Sequence, residues 1–245
     1  MYKINRNIAT LPWPEVAELL ERKIIIVPLG SVEQHGPHLP LATDAILAEV
    51  LAQRVAEIVD GYYFPPLPYG QVWSAQNYPG TISLKLQTMI AVIKDIAKSL
   101  YKHKVKNLVF ISSHIGNVLP LQIALRELYE EISELKIIYL CYPQIDVVIK
   151  GVVETPLWAG SGFHAGEVET SLLLAVAPEL CRMEKAVCEY PPVPVGYGVS
   201  PIPWERISKT GVFGDAKAAT AEKGVVLLER WTQLMANIIK DIFKI

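Results

Sequence analysis

Apolar positions come in short unbroken runs and in helical stripes, and the two alternate along the 245 residues. Residues 23–30, Lys-Ile-Ile-Ile-Val-Pro-Leu-Gly, form a β-branched run with no polar break, the pattern of a parallel strand covered on both faces. The spacing next predicts a helix over 45–58, with Thr43 or Asp44 as its N-cap and Ile46, Leu47, Val50, Leu51 and Val55 on one face. A short strand is expected over 62–67, and the Pro/Gly/Asn-rich stretch 65–80 reads as a surface loop. The helical period returns over 86–102, followed by a buried strand over 107–112, a helix over 118–135 and a strand over 136–142. A helix over 167–177 stops before Pro178, and one long helix spans 218–243. This alternation predicts an α/β fold, a three-layer α/β/α sandwich with a largely parallel central sheet, whose ligands bind beyond the carboxyl ends of the strands. Function is therefore expected in the loops after Leu29 and Ser112. No internal repeat or linker interrupts the pattern, so residues 1–245 read as a single domain.

Composition narrows the partners. With 51% hydrophobic residues the chain can bury a core, and 23 Lys and Arg against 25 Asp and Glu leave no basic excess for nucleic acid. The longest apolar runs, 24–29 and 171–178, fall short of the roughly 20 residues needed to cross a bilayer. The start, Met1-Tyr2-Lys3-Ile4-Asn5-Arg6, opens no export signal, so a soluble, cytoplasmic protein is expected. Cys141, Cys181 and Cys188 are odd in number and form no Cys-x-x-Cys pair, which suits core or interface positions rather than a thiolate metal site.

Chemistry concentrates in three segments. Residues 30–44 hold Glu33, His35, His38 and Asp44, a dense set for one strand-to-helix loop. Glu33 and His35 are two apart and so share a side of an extended segment, while Pro37 and Pro40 stiffen the return to Asp44. His114 follows the strand over 107–112 directly, at the expected ligand-binding edge. In the third segment, 160–171, His164 and Glu167 are three apart and share a face if the helix has begun, while Glu169 projects elsewhere. The plain alternatives are an N-capping Asp44 in a solvated loop and a helix start whose acidic residues answer the helix dipole. Four of the five histidines lie in these segments, and carboxylate with imidazole is the ligand mixture of zinc, manganese or iron. His103, between lysines, reads as solvent-exposed.

The first loop, Gly30-Ser31-Val32-Glu33-Gln34-His35-Gly36-Pro37-His38-Leu39-Pro40-Leu41 through Asp44, resembles the long N-terminal signature of the creatininase, or creatinine amidohydrolase, family. The resemblance continues through Pro79-Gly80-Thr81-Ile82-Ser83-Leu84, His114-Ile115-Gly116-Asn117, His164-Ala165-Gly166-Glu167-Val168-Glu169-Thr170-Ser171, Gly214-Asp215 and residues 219–224, covering nearly the whole chain. It implies a three-layer α/β/α subunit, two divalent metal ions per chain, hydrolysis of a carbon–nitrogen amide bond, and a homo-oligomer, commonly a hexamer. Carried over residue by residue, Glu33, Asp44 and His114 would bind one metal and His35 the second, with Asp44 bridging. The family's further glutamate, two residues after the strand-end histidine, is Gly116 here. Glu167, one turn from His164, is therefore expected to supply the missing carboxylate. Two divalent ions set against Glu33, Asp44, Glu167 and a hydroxide then leave a neutral buried cluster.

The implied reaction uses metal-activated water on a small-molecule amide, cyclic or formamide, with His164 as proton donor to the leaving nitrogen and Glu167 sharing that role if it is not a ligand. Creatininase has aromatic and acidic residues just before the histidine matching His164, whereas the nearest tryptophan here, Trp158, stands six positions away. The creatinine-specific pattern is thus not kept, and Trp73 and Tyr78 are the alternative candidates to line the pocket. Other branches of the family deformylate a phosphorylated formamidopyrimidine of flavin or deazaflavin synthesis, or act as a peptidase on a cofactor precursor. No Lys or Arg occurs in 29–44, 65–84, 112–117 or 156–177, so a phosphate would need the metals or a residue such as Arg206 or Lys209, which disfavours phosphorylated substrates and a phosphoesterase. From another class, a non-catalytic metal-binding oligomeric scaffold would keep the fold with the second site disabled at Gly116. Trp204, Val212 and Phe213 in the late loop are expected to be exposed at an oligomer interface.

Overall fold

The pattern assigns no element before residue 23, yet Pro14 near a helix start and the apolar stripe of Val16, Leu19 and Leu20 open α1 (Trp13–Arg22) in a computed structural model that describes residues 6–160 and 163–245. Residues 1–5, which carry most of the N-terminal reading, and Ser161 and Gly162 of the third segment lie outside the described residues. The order continues with β1 (Ile25–Leu29), α2 (Thr43–Ile58), β2 (Tyr62–Tyr63), α3 (Leu86–Lys102), β3 (Asn107–Ser112), α4 (Val118–Glu131), β4 (Lys136–Leu140), the single turn α5 (Ile145–Val148), α6 (Glu167–Val176), β5 (Cys188–Glu189), β6 (Gly214–Asp215) and α7 (Ala221–Phe243).

Strands β2, β1, β3 and β4 lie in that order and are all parallel, with Ile26 opposite Val109 and Val109 opposite Ile138. Side-chain alternation splits the central strands between two cores. Ile26, Val109 and Ile111 pack with α2, α6 and α7, while Ile25, Val27, Leu29, Leu108 and Phe110 pack with α1, α3 and α4. The expected strand over 62–67 shrinks to two residues because Pro65 and Pro66 offer no N–H. The chain beyond them returns to the sheet only through Leu67, whose N–H donates to the Pro28 carbonyl at 3.0 Å. Strands β5 and β6 form a separate antiparallel pair.

Two helix starts differ from the sequence expectation. The helix α2 begins at Thr43, preceded by Ala42 with no side-chain cap, so Asp44 sits in the first turn with its carboxylate free for other work. Helix α7 begins at Ala221, where Thr220 Oγ1 accepts from the Lys223 N–H. Among the described residues no helix is long and apolar enough to cross a membrane.

Candidate metal centre

The loop after β1 is pinned before it reaches the site. The Glu33 N–H donates to the Leu41 carbonyl and the Gln34 N–H to Thr81 Oγ1, both at 3.0 Å. His35 Nδ1 donates to the Glu33 carbonyl at 3.1 Å, which turns Nε2 toward Asp44 Oδ1 at 3.4 Å and Glu169 Oε2 at 3.9 Å. Asp44 Oδ2 accepts from Ser31 Oγ at 2.7 Å and faces His114 Nδ1 at 3.2 Å. His114 Nδ1 also stands 2.8 Å from Glu33 Oε1, and its Nε2 donates to the Gln71 carbonyl at 2.9 Å. That last bond depends on Gly116. A Cβ there would fall 2.3 Å from both the Gln71 oxygen and His114 Nε2.

Two donor sets result, Glu33 with Asp44 and His114, and His35 with Asp44 and Glu169, each with its donor atoms within 4.8 Å of one another. A third grouping, Glu33, His35 and His164, shares Glu33 with the first set and His35 with the second. Every member is at most 6% exposed, so bulk solvent does little to satisfy the charges. Glu33 Oε2, His35 Nε2 and Asp44 Oδ1 are buried with no hydrogen-bond partner, three orphaned donor atoms turned into one small volume. Mixed oxygen and nitrogen donors with three carboxylates fit a pair of divalent ions.

Burial and neighbouring charges shift the titration of these groups in opposite directions. Burial opposes a charge on His35, and the carboxylates of Asp44, Glu169 and Glu33 together outweigh it, lifting the imidazole to about 10. Glu169 is pushed up to about 8, by burial first, with His35 pulling the other way and Asp44 adding to the rise. His164 goes the opposite way, held well below its ordinary value by burial and then by the charge on His35. His38 is likewise lowered, to about 4, and its Nε2 pairs with Thr170 Oγ1 at 2.9 Å.

The expected role of Glu167 does not survive the geometry. The helix α6 starts at Glu167 itself, after Ala165 in the left-handed region, so His164 is not on the helix and shares no face with it. The Glu167 carboxylate turns away, accepting from the Glu154 and Thr155 N–H groups, from Thr155 Oγ1 and from Lys223 Nζ at 2.7 Å. Glu169, which the spacing sends elsewhere, takes the place beside His35 and Asp44, and its Oε2 accepts the Ala165 N–H at 2.6 Å. The signal available in the sequence is Gly166, whose cap position puts Glu167 in the first turn and Glu169 on the inner face.

His164 is fixed outside the helix by a bridge in which the Phe213 N–H donates to its carbonyl at 2.9 Å. Its Nδ1 lies 3.9 Å from Glu169 Oε2. Above the donor sets opens a cavity of about 690 Å³ walled by Trp73, Trp158, Phe163, Tyr197, Trp204 and Phe213. Trp158 thus reaches the site despite its distance in sequence, 4.7 Å from the Phe213 ring. Of the two loop aromatics, Trp73 lines the cavity, whereas the Tyr78 hydroxyl donates to the Ser208 carbonyl. Val212 and Phe213 are 0% and 2% exposed, which corrects their expected place on an outer surface, and the Trp204 ring sits tilted against His164 with the centroids 4.7 Å apart. No Lys or Arg lines the cavity among the described residues, and His103 is exposed as expected.

A family model described as creatinine amidohydrolase matches residues 9–239. Creatinine amidohydrolase of Pseudomonas putida is 33% identical over 236 residues, covering 90% of this chain and 90% of the relative. A mycofactocin precursor peptide peptidase of Mycolicibacterium smegmatis is 30% identical over 230 residues, covering 89% and 84%. Among solved structures, a manganese creatininase and a mutant creatininase of Zn-Zn type each superpose with a TM-score of 0.83 at 30% identity, the first covering 97% of this chain and 98% of that one, the second 98% of each.

Proposed function

The chain belongs to the creatininase family, and from that premise we propose that it is a dinuclear-metal amidohydrolase cleaving the C–N bond of a small, uncharged amide. The observation that supports this most is the pair of buried donor sets sharing Asp44, with orphaned atoms on Glu33, His35 and Asp44. Glu33, Asp44 and His114 would hold one ion, and His35, Asp44 and Glu169 the other. When bound, such a pair supplies an activated water and polarises the substrate carbonyl.

The chain's own residues then orient and move protons. Asp44 presents one oxygen to each set, with Ser31 Oγ steadying Oδ2. The Glu33 and Gln71 carbonyls fix the rings of His35 and His114 so that one nitrogen of each faces inward. His164 would take up a proton at Nδ1 and hand it to the amide nitrogen as the C–N bond breaks, the attacking water's hydroxyl remaining on the carbonyl carbon. Aromatic walls without a cation suit a flat amide face and offer a phosphate no counter-charge outside the metal centre. That weighs against the phosphorylated formamide of the deformylase branch. The scaffold reading loses its motive, since Glu169 completes the set that Gly116 leaves short.

Metal analysis on protein reloaded with zinc or manganese should give about two ions per chain. The loaded protein should release amine from members of a panel of neutral lactams and formamides, and His164→Ala should keep the metal while losing roughly 100-fold or more in kcat. One ion or none, or a loaded protein inert on the whole panel, would overturn the reading.

A further inference from the structure

Nitrogen Nε2 of His164 is bracketed by a single residue. The Gln34 main-chain carbonyl lies 2.8 Å away and the Gln34 side-chain Nε2 lies 2.9 Å away. The amide cannot be turned round, because its Oε1 accepts the Gly36 N–H at 2.9 Å and its Nε2 donates to the Gly211 carbonyl at 3.1 Å. Gly211 permits this closeness: a Cβ there would lie 1.9 Å from Gln34 Oε1, and its φ of +78° suits glycine. One nitrogen of the imidazole therefore has both an acceptor and a donor within hydrogen-bond reach, and the other, Nδ1, is left to face Glu169.

Resting on the amidohydrolase reading above, we propose that Gln34 is the positioning residue for His164. Its carbonyl receives Nε2–H when Nδ1 carries the lone pair, and its amide donates to Nε2 when the hydrogen sits on Nδ1. Both neutral tautomers are thereby held in one ring orientation, with Nδ1 aimed between the two donor sets. The same carbonyl receives Nε2–H in the protonated ring, the form His164 passes through when Nδ1 takes up and hands on its proton, so the orientation is shared by every protonation state. Gln34 also ties that ring to Gly36 beside His35 and to the Gly211 segment that leads to Phe213, so the proton carrier is registered against both the metal loop and the cavity wall.

Gln34→Met keeps the side-chain length and removes the amide. In zinc-loaded protein it should retain two ions per chain and an unchanged KM, with kcat lowered roughly 10- to 100-fold. In ¹⁵N-histidine NMR the His164 Nδ1 and Nε2 resonances should leave their wild-type positions. Gly211→Ala pushes on the same amide from outside the metal loop and should shift the same resonances in the same sense, which keeps the proposal open to test if Gln34→Met folds poorly. Wild-type His164 resonances in both variants would overturn the proposal, as would a wild-type kcat in metal-loaded Gln34→Met. If wild-type protein turns over no amide yet the resonances move as stated, the positioning holds and the amidohydrolase reading fails.

Discussion

A side chain at position 116 would have to displace either the Gln71 carbonyl or the His114 ring, since its Cβ would fall 2.3 Å from each. A glutamate restored there would therefore act as a wedge rather than as a ligand. Gly116→Glu should weaken metal binding at the Glu33, Asp44 and His114 set by roughly 10- to 100-fold, the usual effect of losing the bond that orients a ligating histidine. Metal titration of the apoprotein checks this, and wild-type affinity would show the Gln71 bond to be dispensable. The two nearby glutamates of α6 separate just as sharply. Glu169→Gln should cost one ion per chain, because a buried amide brings no charge to the His35 and Asp44 set. Glu167→Gln should keep both ions and lower stability by roughly 1–3 kcal/mol, the scale of a charged hydrogen bond lost to Lys223. Loss of an ion from Glu167→Gln with none lost from Glu169→Gln would reverse the assignment.

At the scale of elements, the segment from Ser208 to Phe213 is a loop held by one carboxylate at the end of β5. Glu189 accepts from Ser208 Oγ at 2.9 Å, from the Lys209 and Thr210 N–H groups at 3.1 Å, and from Thr210 Oγ1. Burial alone would raise its pKa, but these donors, Thr210 foremost, hold it below the ordinary 4.5. A folded value below the unfolded one contributes stability that is complete above 4.5 and lost as the pH falls through the folded value. Glu189→Gln should thus lower the Tm most near neutral pH, and the gap to wild type should close as the pH falls from above 4.5 through the lower folded value. A gap that stays constant over that range would remove the carboxylate charge from the loop's stability. The same scale explains what the sequence could disclose. Helix α3 and strand β3 match their expected limits, 86–102 and 107–112, because each follows from one period and clear ends. Strand β2 is shorter than its apolar run since Pro65 and Pro66 cannot join a ladder, a rule legible in advance. Helix α6 misleads for a subtler reason. Spacing rules place Glu167 over His164 only if both lie on one helix, and the left-handed Ala165 breaks the phase between them. Four expected metal-site residues, Glu33, His35, Asp44 and His114, come together because a strand end or a short stiff loop leaves them little freedom, and the fifth fails where the backbone changes conformation.

Over the whole molecule, the parallel sheet sends β1 and β3 toward one edge, and the late loops from Trp158 to Phe213 fold over that edge to wall the cavity. Aromatic walls lower the local polarity, which strengthens charge interactions at the buried donor sets and makes an unpaired charge there costly. In the proposed site three buried carboxylates would take up the metal charge, so little would be left over for an anionic substrate tail, and the cavity offers no Lys or Arg of its own among the described residues. Arg206 and Lys209, the nearest cations in sequence to the late wall, lie outside that lining. A matched pair of formamides, one bearing a phosphate away from the amide and one with a hydroxyl in its place, isolates this term. The unphosphorylated member should have the higher kcat/KM by roughly tenfold or more, the least that burying an uncompensated phosphate would cost. The phosphorylated member should act as a weak competitor, because its only attraction is to the metals themselves. Preference for the phosphorylated member would mean that a cation reaches the cavity from outside its present walls, and Arg206→Ala and Lys209→Ala would then show whether this chain supplies it.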